Sequence, residues 1–129
     1  MRRAQSTLTS QELEIMKVVW KLGPATVRQV YETLLKHRRI AYTTVMTMMN
    51  ILEQKGYLKK SQKDRAFVYQ ATRPQKQVIR GMVREFVDRV FNGSAEPLLL
   101  HLVEDRHVSE KDVEEIRLML KESSGRKKP

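Results

Sequence analysis

The chain contains no cysteine. That excludes disulfides, thiolate metal ligands and a cysteine nucleophile, and nothing argues for an oxidising compartment. No apolar run approaches the roughly 20 residues that a membrane-spanning helix needs. The N-terminal MRRAQSTLTSQE also lacks the apolar segment of a secretion signal. A cytoplasmic protein is expected. Catalytic motifs are missing too: there is no Gly-rich phosphate loop, no G-x-S-x-G elbow and no His-Glu-x-x-His helix. His101 and His107 lie on different faces of any continuous helix, so they meet at a metal only across a bend or between subunits. Glu104-Asp105 and Glu114-Glu115 read as solvated carboxylates in a charged region rather than as an acid/base pair. The expectation is a non-enzyme with no cofactor and no metal.

Positive charge, by contrast, is in excess. The 129 residues carry 25 Lys and Arg against 15 Asp and Glu, a net +10. Residues 1–73 hold 14 cationic and 5 acidic side chains, a net +9, whereas residues 74–129 hold 11 and 10, a net +1. Attraction to a polyanion by long-range steering and counterion release is therefore concentrated in the first part. The break in charge and pattern falls at Thr72-Arg73-Pro74. It divides the chain into a DNA-binding domain at 1–73, a helical dimerisation domain at 74–122 and a flexible tail at 123–129.

Thr9 and Glu12 have capping-box spacing, and Leu13, Met16, Val19 and Trp20 follow on one helical face. A first helix is predicted from Ser10 to Leu22, stopped by Gly23-Pro24, with a short turn or bridge strand after it. Thr26 and Gln29 repeat the box, and Val27, Val30, Tyr31 and Leu34 predict a second helix from Val27 to about Lys36. His37-Arg38-Arg39 is a basic connection. In the third helix Val45, Met48, Met49 and Leu52 form a buried stripe, and Lys55-Gly56 marks the end. Its opposite face carries Thr43, Thr47, Asn50 and Gln54, uncharged hydrogen-bonding side chains of the kind that approach base edges in a major groove. A solvated helix face would more often carry Glu and Lys. Met46 either packs under the second helix or reaches a thymine methyl. Strands are predicted at Tyr57–Ser61 and Ala66–Ala71, with Gln62-Lys63-Asp64-Arg65 as a charged turn. A polar-faced helix followed by a basic hairpin is the order in which a winged helix-turn-helix meets DNA.

Beyond Pro74 the pattern is helical. Val78, Ile79, Met82, Val83, Phe86, Val87, Val90 and Phe91 line a helix predicted over Gln75–Phe91, ended by Asn92-Gly93-Ser94. Pro97 opens a further helix carrying Leu98, Leu99, Leu102 and Val103, and Ser109 with Asp112 caps another carrying Val113, Ile116, Met119 and Leu120. So small a helical region cannot bury so wide a stripe by itself. A second copy is expected to cover Val78 through Phe91 together with Leu99, Leu102, Ile116, Met119 and Leu120.

Leu8-Thr9-x-x-Glu12-x-x-x-Met16, Trp20, Thr26-Val27, Ala41-Tyr42-Thr43-Thr44-Val45-Met46-Thr47 and Leu52-Glu53-x-Lys55-Gly56-Tyr57-Leu58, with Phe91-Asn92-Gly93-Ser94, resemble the bacterial penicillinase-repressor family. The resemblance spans roughly Leu8 to Glu122. It implies a winged-helix repressor that binds a palindromic operator as a homodimer, often around TACA and TGTA half-sites. Carried to matching positions, Tyr42, Thr43, Thr44 and Thr47 become base contacts and Lys63 and Arg65 wing contacts. Asn50 and Gln54 are added from helix geometry, and Arg38, Arg39, Lys59 and Lys60 from charge, as backbone contacts except for Asn50. Ile51 stands where many relatives carry a basic residue, so either the chain forgoes a phosphate contact there or it reads a different operator. Antibiotic-responsive members are induced through a membrane-bound metalloprotease sensor and cleaved at an Asn-Phe bond. This chain has Phe91-Asn92 but no Asn-Phe dipeptide. Copper-responsive members use cysteines that are absent here.

The expected function is a cytoplasmic, homodimeric transcriptional repressor bound to a double-stranded DNA operator, with induction by proteolysis of the dimerisation arm as the family's implied route. A winged-helix protein-interaction module is the rival, in which the helix at Gln75–Phe91 holds a foreign helix; a purified monomer would favour it.

Overall fold

The computed structural model describes residues 8–105 and 107–127, with side chains as far as Glu122. The elements run α1 (Ser10–Leu22), α2 (Val27–Leu35), α3 (Tyr42–Gln54), β1 (Leu58–Lys63), β2 (Ala66–Ala71), α4 (Gln75–Phe91), α5 (Glu96–Glu104) and α6 (Glu110–Lys127). The chain divides into two compact units, a head at Met1–Met82 and an arm at Val83–Pro129. The fold is mainly α with a small β-hairpin wing.

Both predicted capping boxes form. The Glu12 N–H donates to Thr9 Oγ1 at 3.1 Å while the Thr9 N–H donates to Glu12 Oε1 at 2.9 Å. Thr26 and Gln29 make the same pair at 3.1 and 2.9 Å. Such caps satisfy N–H groups that have no partner within the helix, each worth about 1 kcal/mol. Gly23 ends α1 at φ 81, a conformation costly for any side chain with a Cβ. The predicted bridge follows, for the Ala25 N–H donates to the Tyr69 carbonyl at 3.0 Å and the Tyr69 N–H returns a bond of 2.8 Å. This stitches the α1–α2 connection to the wing.

The core of the head is built from Ile15, Met16 and Val19 of α1, Val30 and Leu34 of α2, and Val45, Met49 and Leu52 of α3, closed by Leu58 and Tyr69 of the wing. The stripe predicted for α3 is the one observed, with Met48 half-buried at its margin. The hairpin differs from expectation. β1 starts one residue later, for the Tyr57 N–H turns back to the Leu52 carbonyl at 2.9 Å, and pairing continues to Lys63↔Ala66. The tip is therefore two residues, not four: Asp64 at φ 49 and Arg65 at φ 73. Positive φ at both positions is what a type I′ turn demands, and it matches the twist of the strands it joins.

Val78 and Met82 correct the expected dimer stripe. Val78 is 6% exposed in the core of the head and Met82 packs against that core. The physical reason is that α4 begins inside the head, so its first apolar turns finish that unit; periodicity alone does not divide one wide stripe between two surfaces. In the arm, Phe86 and Phe91 pack edge to face at 5.9 Å and Phe91 lies 6.1 Å from the His101 ring. Asn92 (φ 55) and Gly93 (φ 88) turn the chain after α4. Ser109 and Asp112 cap α6 reciprocally, both bonds being 3.1 Å. The helix runs to Lys127, into the segment expected as a flexible tail. No proline interrupts it before Pro129, and Gly125 costs only about 1 kcal/mol in a helix interior. Residues 128–129 lie outside the described residues. Among the described residues no helix is long and apolar enough to cross a membrane.

Candidate nucleic-acid interface

Burying Val45, Met49 and Leu52 leaves the opposite side of α3 outward. Thr43, Thr47 and Gln54 are exposed, whereas Thr44 and Asn50 are half-buried. Thr43 and Thr47 stand four residues apart, one above the other on that face. Met46 is 38% exposed, so α2 does not cover it. Tyr42 has a structural role besides any DNA contact. Its ring meets Tyr31 of α2 edge-on at 5.3 Å, and the Arg28 guanidinium lies 5.5 Å from its centroid. These contacts fix the start of α3 against α2, which is the joint a helix-turn-helix requires.

Two ion pairs hold α3 and its approach against α1. At the far end of α3, Lys55 Nζ lies 2.8 and 3.0 Å from the carboxylate oxygens of buried Glu12. One carboxylate thus caps α1 and anchors the end of α3. Burial pushes the Glu12 carboxyl up, but the Lys55 hydrogen bond and charge and the bonds from Thr9 together outweigh it, leaving the pKa below the ordinary value. Before α3, Arg38 grips Glu14 with Nε at 3.0 Å and Nη2 at 2.9 Å, and its Nη1 donates to the Arg39 carbonyl at 3.3 Å. The Arg38 hydrogen bonds hold the Glu14 carboxyl below its usual value, against a smaller opposing effect of burial. Arg38, expected as a backbone contact, is paired with Glu14 of α1, and both Arg38 and Arg39 are exposed. The partner lies 24 residues earlier, a distance at which sequence pattern carries no signal.

The wing is tied to α3 by Tyr69, whose hydroxyl donates to Asn50 Oδ1 at 2.8 Å. Asn50 therefore enters the interface with its carbonyl oxygen already engaged. Strand alternation separates two lysines that sequence reading had grouped. Lys60 pairs with Tyr69 in register and shares its face, while Lys59 and Lys63 point to the other side. The Lys60 ammonium sits 4.8 Å from the Phe67 ring centroid and 5.8 Å from that of Tyr69. Among the described residues no ion pair engages Lys59, Lys60, Lys63 or Arg65. A face of exposed threonines beside a ribbon of unpaired cations has hydrogen-bonding groups for bases and charges for phosphates. Arg28, Glu12 and Tyr69 were absent from the sequence-based site. Each works through a contact distant in the chain.

The sequence model of the penicillinase repressor family matches residues 8–122. The chain belongs to the penicillinase repressor family. Members of this family are transcriptional repressors, and the winged helix-turn-helix of the head is their DNA-binding fold. The penicillinase repressor of Bacillus licheniformis is 30% identical over 121 residues, covering 94% of each chain. The transcriptional regulator BlaI of Mycobacterium tuberculosis (strain CDC 1551 / Oshkosh) is 35% identical over 103 residues, covering 78% of this chain and 75% of that one. Among solved structures, the DNA-binding domain of the repressor BlaI is 31% identical with a TM-score of 0.51, covering 58% of this chain and 90% of that domain. The family match includes every residue of the candidate interface.

Proposed function

We propose that this penicillinase repressor family member is a homodimeric transcriptional repressor that occupies a palindromic operator and blocks transcription from the adjoining promoter in the bacterial cytoplasm. The observation that carries the reading is the exposure of Thr43 and Thr47 on α3 beside the unpaired wing cations. In this reading Tyr42, Thr43, Thr44 and Thr47 read base edges, with Asn50 at the margin. Gln54, Arg39, Lys59, Lys60, Lys63 and Arg65 hold phosphates, and Arg38 orients the loop before α3.

Support for the homodimer comes from the arm, where Val83, Phe86, Val90, Leu99, Val103, Ile116, Met119 and Leu120 are exposed in the single chain. Covering four such side chains at about 1.5–3 kcal/mol each supplies roughly 6–12 kcal/mol per subunit before association entropy. Phe91 and Leu102 of the arm, half-buried, border this surface, whereas Val87, expected in the dimer stripe, is already buried at 9% in the single chain and Ile79 falls in the head unit. Relief of repression runs through proteolysis of this arm, under a membrane-bound metalloprotease sensor of the kind the family resemblance implies. Because the chain contains no Asn-Phe dipeptide, the cut falls at a different peptide bond.

Selection of duplexes from a random pool by the full chain tests the reading. The expected result is enrichment of one palindrome, bound with log K falling against log[salt] at a slope of about −5 if roughly six phosphates are neutralised across the dimer. Enrichment of no sequence, with binding equal for all duplexes, would overturn it.

A further inference from the structure

Phe67 is the unexplained side chain of the wing. It is 51% exposed, although the hairpin otherwise presents mostly charged and polar groups. Register explains where it lies. Phe67 pairs with Gln62 and shares the face of Tyr69, two residues nearer the tip, beyond the packing that buries Tyr69 to 3%. That same face is fastened to α3 through the Tyr69–Asn50 hydrogen bond. The Lys60 ammonium lies against the ring at 4.8 Å, and among the described residues no ion pair engages it. An occupant of this spot must therefore offer an apolar surface bordered by negative charge. The walls of the DNA minor groove do so, since deoxyribose C–H groups alternate there with phosphates.

We propose that Phe67 seats against deoxyribose in the minor groove beside each half-site, while Lys60, positioned by the two aromatic rings, contacts the neighbouring phosphate. The inference rests on the repressor reading above and adds to it an apolar wing contact that sequence analysis did not assign. Such a contact contributes affinity without counterion release, so its removal leaves the salt dependence unchanged, whereas removal of Lys60 flattens it. Cation and ring thus act as one unit with two separable signatures.

The test uses the full-length chain, a duplex that the wild type selects from a random pool, and hydroxyl-radical footprinting, which reports the accessibility of individual sugars. Phe67→Ala is expected to weaken binding about tenfold at every salt concentration. It should also erase protection of the sugars flanking each half-site while leaving protection under α3 intact. Phe67→Leu, which keeps an apolar side chain at the position, should restore most of the affinity and protection. Lys60→Ala should lower the salt slope. Wild-type affinity and full flanking protection in Phe67→Ala would overturn the inference. So would a change in oligomeric state by light scattering, which would make Phe67 a protein contact. A wild type that selects no duplex would instead sink the repressor reading on which the inference stands.

Discussion

The hydroxyl of buried Tyr69 donates to the side-chain oxygen of half-buried Asn50 at 2.8 Å, joining the wing to α3. Tyr69→Phe deletes the donor while retaining the ring in the core. A loss of about 0.5–1.5 kcal/mol in unfolding free energy is expected. A denaturant-melt cycle with Asn50→Ala should show the two changes coupled; strict additivity would mean that the bond carries no energy.

Thr47 and Lys63 should fail differently. Thr47→Ala removes a hydrogen-bonding group from the outward side of α3 and should narrow the affinity gap between selected and scrambled duplex. Lys63→Ala should weaken both duplexes alike and reduce the salt slope by about 1 for each phosphate no longer neutralised. Parallel anisotropy titrations at several salt concentrations distinguish the two patterns.

The pair of buried Glu12 and half-buried Lys55 should make the head acid-sensitive. Because the folded Glu12 carboxyl has a lowered pKa, its contribution is present above the unfolded value of about 4.3 and is lost as pH falls through the folded value. Glu14 acts in the same direction, but its contribution is small because solvent screens a partly exposed pair. Glu12→Gln should lower stability near neutral pH by on the order of 1–3 kcal/mol. The gap from wild type should then shrink below about pH 4. Urea melts from acid to neutral pH check the convergence; a constant gap would show that the charge of Glu12 is not involved.

Arg65 occupies a positive-φ position that suits glycine better. Arg65→Gly should stabilise the hairpin by up to about 1 kcal/mol, since a side chain in the left-handed region costs roughly 1–2 kcal/mol. The same change should weaken DNA binding by removing a cation. A higher melting midpoint together with a poorer dissociation constant is the expected signature. A side chain kept where it costs stability is more readily explained by what it touches than by what it supports.

Phe86→Glu places a charge on the exposed apolar surface of the arm and should yield monomers in sedimentation equilibrium. Operator affinity should fall by roughly 10²–10⁴ as the two heads lose their linkage, with head stability unchanged. Retention of the dimer would place the interface elsewhere.

Local chemistry was the legible part of this fold. Thr9 with Glu12 and Thr26 with Gln29 announced helix starts, and the period of Val45, Met49 and Leu52 separated the inner from the outer side of α3. Those signals operate over a few residues. What joins the elements was not legible: Glu12 to Lys55, Glu14 to Arg38 and Tyr69 to Asn50 are chosen by packing across 19 to 43 residues. The tip of the wing escaped for another reason. Asp64 and Arg65 adopt a turn in which Asn and Gly are favoured, so residue type pointed to a longer loop. Thr43 and Thr47 lie on the outward face that the period alone implies, whereas Thr44 is half-buried. The pairing of Arg38 with Glu14 was not legible because charge announces neither a partner nor a direction.

The seam between the two compact units falls inside α4 rather than in a loose connector, and Val78 sits on the near side of it. Severing the chain at Arg73 would pull that side chain from its socket and leave a hollow in the floor of the head. An excised head has to keep the helix as far as Met82 to remain intact.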